Sequence, residues 1–450
     1  MKTLLIYPPC GSITENFHVM PLGVCALKSF LVVNGREASV MDLNMKMFLK
    51  NDHKELWQEK NLNLWINKTD FYKKILPVLD MEEMLDLILS RDDDIVGFSI
   101  NHASVNTSLI LTREIKKHSQ KKVIFGGAGC YEAYLEEYLK SGVDAIVKGE
   151  GELTLLELTE DFRLCKGVYM LQNDTAVFGG NRELIDINTL PFPDFDDIIE
   201  DYKKHNPYAW VTSSFLRGCT NRCAFCDESP YWQRIRQRSP RNIVDELLFL
   251  KSKYQTGGFT KGDSTLVDAA ETMFQICDLI KENNLKIEWS SQARPEKWLT
   301  LELLQKMYHA GCNALSFGVE SGSQRILDKM NKKLNVGVIE QVIKDAKNAG
   351  IAVTVNLMVD SPGERVTDFF KTIMLIIKTR GYVHTINVST AGIPYRSDWY
   401  RNPSKYGIVN GRRWHSKHYR NNFITAGIKK IILNGIKKII FCLIRKNKKK

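Results

Sequence analysis

The chain has 450 residues, 44% of them hydrophobic and 26% charged, which suits a soluble globular protein of two or three ordinary domains. Its formal net charge of +11 is unevenly placed: residues 401–450 carry fifteen Lys or Arg and no acid, so residues 1–400 hold −4. Ten cysteines are present, three crowded on one loop and the others (Cys10, Cys25, Cys130, Cys165, Cys277, Cys312 and Cys442) single, which excludes a disulfide framework.

Met1–Tyr7 runs straight into Pro8-Pro9 without a cleavable apolar core, and no stretch reaches 18 uncharged apolar residues. A cytoplasmic protein is therefore expected. Residues 1–160 alternate short apolar runs with helical periodicity. Strands are predicted at Leu4–Tyr7, Ala38–Met41, Ile95–Ile100, Val123–Phe125 and Asp144–Val147, with helices near 22–34, 81–90, 105–118, 131–140 and 153–160. That rhythm predicts a doubly wound parallel sheet. Residues 45–80, rich in Trp, Phe and Lys, interrupt it as a helical insertion.

Ligands of such sheets sit at the strands' carboxyl ends, which here carry Pro8-Pro9, Ser99-Ile100-Asn101, Gly126-Gly127-Ala128-Gly129 and Gly149-Glu150-Gly151-Glu152. Glycine after a strand is most often plain turn chemistry. Leu190-Pro-Phe-Pro-Asp194 reads as a proline-stiffened connector. From residue 208 six strands, each followed by a helical pattern, are predicted at Ala209–Ser213, Gly258–Thr260, Ile287–Ser290, Ala314–Gly318, Val353–Met358 and Thr385–Val388. The helices fall near 242–253, 268–282, 300–310, 336–349 and 367–378. Six such units predict a partial, open β/α barrel whose chemistry lies at the strands' carboxyl ends.

In that barrel stands Arg217-Gly-Cys-Thr-Asn-Arg-Cys-Ala-Phe-Cys-Asp227, with Cys219, Cys223 and Cys226 in C-x3-C-x2-C spacing. Three thiolates on one irregular loop can converge on a soft metal centre, an iron-sulfur cluster or zinc. No fourth Cys or His lies within twelve residues on either side, so one metal position is predicted to be open. The motif C-x3-C-x-aromatic-C resembles the signature of the radical S-adenosylmethionine (SAM) superfamily. That resemblance implies a 4Fe-4S cluster on the three cysteines and SAM chelated at the open iron. It also implies an electron donor such as flavodoxin or ferredoxin.

Further pieces carry the resemblance. Tyr7-Pro-Pro, Pro21-Leu-Gly23, Asp42-Leu-Asn44, Val96-Gly-Phe-Ser99, Gly126-Gly127 and Lys148-Gly-Glu-Gly-Glu152 resemble the cobalamin-binding domain that precedes many of these enzymes. It implies that Ser99, Gly126, Gly127 and Gly149 line the corrinoid groove. The D-x-H-x-x-G motif is absent, and His18 and His102 lack an obvious carboxylate partner, so cobalamin is expected without histidine ligation. In the barrel the resemblance implies that Asp263 meets the methionyl amino group. Arg294 takes a carboxylate or hydrogen-bonding role, and Glu320, in Ser316-Phe-Gly-Val-Glu-Ser-Gly322, contacts the ribose or amino-acid portion. Met358-Val-Asp-Ser-Pro-Gly-Glu364 is similar to a glycine-proline-glycine-glutamate turn with Asp360 in a glycine's place.

The expected architecture is thus α/β. A Rossmann-like domain of cobalamin-binding type at 1–160 and a linker at 161–205 precede a TIM-like partial (β/α)6 barrel at 206–400 and a basic tail at 401–450. On a helix, Ile428, Ile431, Ile432, Ile436, Ile439, Ile440 and Leu443 of the tail share one face and Lys430, Lys437, Lys438 and Arg445 gather opposite. Such a basic amphipathic helix fits an anionic membrane surface, at the inner face, as well as it fits a helix packed on the barrel. The expected activity is cobalamin-dependent methylation of an unactivated centre on a small-molecule or lipid-like substrate, with radical cyclisation, oxidation or rearrangement as the alternative. Nucleic acid is not an expected partner, and no individual catalytic residue is assigned.

Overall fold

The computed structural model describes residues 1–13, 19–206 and 210–408, together with positions 432 and 435. The chain divides between Thr212 and Ser213 into two units. His18 and the faces of the expected tail helix lie outside the described residues.

The first unit is built on strands β1 (Thr3–Tyr7), β2 (Ala38–Asp42), β3 (Ile95–Ser99), β4 (Lys122–Gly126), β5 (Ala145–Val147), β6 (Val168–Gln172) and β7 (Thr175–Phe178). They lie in the order β2-β1-β3-β4-β5-β6-β7. The pairings among β1 to β5 are parallel. Their apolar runs are almost continuous because both faces are covered: Leu4, Leu5, Ile6, Val96, Val123, Ile124 and Ile146 are all buried. The strand order turns back at β1 and β3, which opens a crevice at their carboxyl ends.

One expectation is corrected here. Residues 161–205 are not a free linker. β6 and β7 extend the sheet as an antiparallel hairpin. Asn173 and Asp174 between them both take positive φ, 48° and 61°, as a two-residue hairpin turn requires. Tyr169 and Phe178, opposite one another in the register, stack at 4.4 Å. Downstream, Phe195 is fully buried, Lys28 pairs with Asp194 and Asp197 at 3.3 and 2.7 Å, and helix Ile199–His205 brings Tyr202 onto Asp42. Apolar burial and ion pairs hold the stretch, where proline content alone suggested a spacer.

The insertion after β2 is a chain of short helical pieces around Trp57, Trp65 and Phe71, all fully buried. Trp57 and Trp65 meet edge to face at 5.2 Å.

The second sheet contains β8 (Val211–Ser213). It is followed by the small antiparallel pair β9 (Leu216–Arg217) and β10 (Arg236–Gln237). Then come β11 (Gly258–Lys261), β12 (Glu288–Ala293), β13 (Cys312–Glu320), β14 (Ala352–Val359) and β15 (Thr385–Thr390). The sheet order β15-β14-β13-β12-β11-β8 follows the chain, and β11 to β15 pair in parallel, as an open β/α barrel demands. Helices Pro240–Tyr254, Ala270–Glu282, Leu301–His309, Val336–Asn348 and Val366–Thr379 follow successive strands. Along β14, Val353, Val355, Leu357 and Val359 are buried while Thr354, Asn356 and Met358 are half-exposed, the period-two signature of a sheet with one apolar and one polar face. On the polar face Asn387 donates to Asn356 at 3.0 Å and Asn356 to Ser316 at 2.9 Å.

The barrel also runs past its expected end at residue 400. Trp399, Tyr406 and Ile408 are buried in one cluster with Ala224, Ile326 and Met330. No helix among the described residues is long and apolar enough to cross a membrane.

Candidate cluster and cofactor site

The loop with the three cysteines is framed by β9 and β10. Gly218 enters it at φ 91°, and a Cβ there would stand 2.8 Å from the Arg234 carbonyl, so only glycine fits. The loop is then clipped to the barrel on both sides of Ala224: its N–H donates to the Met330 carbonyl at 2.7 Å, and Trp399 N–H donates to its carbonyl at 2.9 Å. Phe225 packs against Trp399 at 5.8 Å.

Each cysteine is half-buried and its sulfur meets an N–H: Asn221 N to Cys219 Sγ, Glu228 N to Cys226 Sγ and Arg294 Nη1 to Cys223 Sγ, all at 3.4 Å. Burial pushes the Cys226 thiol up to about 11, the Glu228 amide opposes this, and the Glu228 carboxylate and the other two cysteines push the same way as burial. Positive charge from a metal is what such a group needs to become a thiolate. Among the described residues no three Cys, His, Asp or Glu side chains converge on one ion position. In a cubane cluster each thiolate takes a different iron, so the ligands need not share a point. One loop whose three sulfurs are met by N–H groups, with no fourth ligand beside them among the described residues, fits a 4Fe-4S cluster with one iron left open.

Around the loop the structure gathers buried charges in pairs. Asp263, just past β11, accepts from Phe215 N at 2.7 Å, Leu216 N at 3.3 Å and Ser214 Oγ at 2.6 Å, and pairs with Lys261 at 2.6 Å. Its carboxylate therefore anchors the chain leading into the cysteine loop, and a ligand amine there would compete with Lys261. That lysine is buried, which lowers its pKa against the pull of Asp263. Arg294 and Glu320 come together through Lys332: Lys332 Nζ donates to Glu320 Oε1 at 2.8 Å, and its carbonyl accepts from Arg294. The same ammonium lies 5.3 Å over the Phe225 ring.

Glu320 itself sits at φ 65°, beyond an irregularity in the β13–β14 register. Asp360, in a glycine's place, takes φ 64°, and its N–H donates to Glu364 at 2.8 Å. Aspartate tolerates this conformation better than most residues. Lys261, Lys332 and Glu296 were not singled out from the sequence; Lys261 and Glu296 stand two residues from Asp263 and Arg294, which was the available signal, whereas Lys332 lies twelve residues beyond Glu320.

In the first unit the loop after β1 is held by neutral groups. Cys10 N–H donates to Asn44 Oδ1 at 3.0 Å, Asn44 returns a bond to the Gly11 carbonyl at 3.0 Å, and Trp57 Nε1 donates to the same Asn44 oxygen at 3.0 Å. The insertion thus pins the loop after β1. Of the expected groove residues, Ser99 pairs opposite Gly126 at the ends of β3 and β4. A Cβ on Gly126 would make only ordinary contact with Val147. Gly127, at φ 100°, lets its loop close on Ile100, whose carbonyl would be 2.7 Å from a Cβ. Gly149, at φ 78°, has nothing within 4 Å of that position. Gly127 therefore serves loop packing, while Gly149 faces open space. His102 packs against Tyr131 with ring centroids 4.8 Å apart and the planes tilted by 57°, and it hydrogen-bonds the tyrosine hydroxyl.

Residues 213–376 match the family model of the Radical SAM superfamily. The chain carries a radical SAM domain. It is 27% identical over 299 residues to an uncharacterised methyltransferase of Pyrococcus horikoshii, covering 64% of each chain. To the anaerobic magnesium-protoporphyrin IX monomethyl ester cyclase of Rubrivivax gelatinosus it is 24% identical over 308 residues, 64% of this chain and 54% of the cyclase. The matched part thus spans less than two thirds of either relative. Among solved structures, the cobalamin-dependent SAM radical enzyme OxsB, with aqua-cobalamin and SAM bound, superposes with a TM-score of 0.68 at 16% identity. That likeness of fold covers 90% of this chain and 56% of OxsB, so it includes both the radical SAM domain and the unit before it.

Proposed function

We propose that the protein is a radical SAM enzyme that carries out cobalamin-dependent methylation of an unactivated carbon or phosphorus centre. Cys219, Cys223 and Cys226 would hold the 4Fe-4S cluster, which supplies the electron that splits SAM to a 5'-deoxyadenosyl radical. The observation that carries the reading is the clipped three-cysteine loop beside buried Arg294, Lys332 and Glu320, in a chain whose preceding unit has the 2-1-3-4-5 strand order. Glu320 and Arg294 are the groups offered to SAM and the cluster. Gly149 and Ser99 are those offered to the corrinoid, with no histidine ligand to cobalt. The likeness to the Pyrococcus horikoshii methyltransferase supports methyl transfer, and the fold shared with cobalamin-dependent OxsB supports a place for the corrinoid.

Anaerobic reconstitution with iron, sulfide and hydroxocobalamin, desalting and a dithionite assay test this directly. A retained corrinoid spectrum with both 5'-deoxyadenosine and S-adenosylhomocysteine is the expected outcome. Deoxyadenosine without corrinoid or homocysteine product would favour the second reading, radical cyclisation, oxidation or rearrangement, which the cyclase likeness motivates.

The substrate is a small or lipid-like molecule, and a flavodoxin or ferredoxin is the electron donor. Contact of the basic tail with an anionic membrane belongs to the same proposal. Sedimentation with anionic liposomes should weaken on deleting residues 423–450, and an unchanged pellet disposes of it.

A further inference from the structure

Arg294 follows the last residue of β12 and is 7% exposed. Its fork is engaged at all three nitrogens: Nε donates to Glu296 at 2.9 Å, Nη2 to the Lys332 carbonyl and Nη1 to Cys223 Sγ at 3.4 Å. Two of these bonds fix the plane of the guanidinium, and the third aims it at the middle cysteine. Glu296 is held in turn by Trp298 Nε1 at 2.7 Å. A buried cation whose N–H points at a ligating sulfur stabilises whichever redox form is the more negative, which is the reduced one. The carboxylate of Glu296 pulls the other way.

We propose that Arg294 is a positioning residue that acts through Cys223 to raise the reduction potential of the cluster, with Glu296 as the counter-charge that limits the rise. The proposal rests on the reading that the three cysteines hold a 4Fe-4S cluster. It concerns the cluster sulfur and requires no contact between Arg294 and the SAM carboxylate.

The test is an EPR-monitored redox titration of the full chain reconstituted with iron and sulfide, alongside iron and labile sulfide per chain. Arg294→Gln should make one-electron reduction at least tenfold less favourable, a negative shift of about 59 mV. Glu296→Gln, which keeps the Trp298 bond but removes the counter-charge, should shift the potential the opposite way. Opposite signs are what a merely structural pair would not produce. Should Arg294→Gln fail to hold iron, the sign of the Glu296→Gln shift decides. Midpoints indistinguishable from wild type, shifts in the same direction, or loss of the cluster from both variants would overturn the proposal. A wild-type chain that takes up no cluster would instead strike down the cluster reading, and this inference with it.

Discussion

The strand ends of the two units are furnished in opposite ways. In the radical SAM domain they carry charges, each buried with its partner: Lys261 with Asp263, Lys332 with Glu320, and Arg238 with Glu246 at 2.6 Å. In the first unit the loops at the corresponding strand ends are held by amides, a phenol and an indole, through Asn44, Asn101, Tyr7 and Trp57, and the fully buried carboxylate of Asp42 is met by the Tyr202 hydroxyl and the Met45 amide. Paired charges in a low-dielectric setting hold a fixed field, which suits a site where charge changes during the reaction. A neutral hydrogen-bonded rim suits the docking of a large ligand by shape. Under the proposed function, that difference would suit electron chemistry in the second unit and cofactor docking in the first.

The largest effect should come from breaking the charged side at its centre. Cys223→Ala removes the sulfur that Arg294 addresses, and 5'-deoxyadenosine formation should fall to background, with iron per chain dropping in parallel. Undiminished turnover would detach the cluster from this loop. Next, Glu320→Ala leaves Lys332 buried without its carboxylate. Breaking such a pair costs about 3–5 kcal/mol, to be read as a fall in denaturant midpoint of the radical SAM domain. A change under about 1 kcal/mol would mean that Lys332 finds another partner or water.

The fold that carries this contrast was largely legible in the sequence; the contrast itself was not. The six strand–helix repeats and the five parallel strands of the first sheet announce themselves through apolar runs, because burial on both faces suppresses polar alternation. The hairpin at 168–178 was missed: Asn173-Asp174 between two short apolar runs was its signal, and the prolines beyond it drew the whole stretch toward a linker. The charge pairs were not legible. Arg294 and Cys223 are 71 residues apart, and only the barrel's closure brings one strand end to another. Asp263 and Glu320 could be placed at strand ends, but their buried lysine partners decide what their carboxylates are free to do, and that is a fact of packing.

The neutral side is probed by pH. Burial holds Asp42 protonated up to about 6, against hydrogen bonds from Tyr202 and the Met45 amide that favour the ionised form; Asp201 nearby adds to the upward push. A carboxyl whose pKa is raised on folding stabilises the folded state fully below its unfolded pKa, and that contribution is lost as pH rises through the folded pKa. Between about pH 4 and 6 the first unit should therefore lose stability on the order of 2–3 kcal/mol relative to Asp42→Asn, which cannot ionise. Thermal unfolding of both proteins across that window gives the difference. A constant gap would show that Asp42 keeps an ordinary pKa.

The finest comparison lies between two glycines of the first unit. Both occupy left-handed backbone, so alanine at either carries about 1–2 kcal/mol of strain. At Gly127 the new methyl would also meet the Ile100 carbonyl at 2.7 Å, a collision with backbone that cannot swing aside, whereas at Gly149 it meets nothing within 4 Å. Gly127→Ala should then unfold at lower temperature than Gly149→Ala, by the overpacking cost of about 1–3 kcal/mol. Corrinoid retention after desalting should order the pair the other way once both are assayed well below their melting points, because only the Gly149 methyl projects into space a ligand could fill. Equal retention by Gly149→Ala and wild type would remove that position from the groove and leave the β5 turn as backbone chemistry alone.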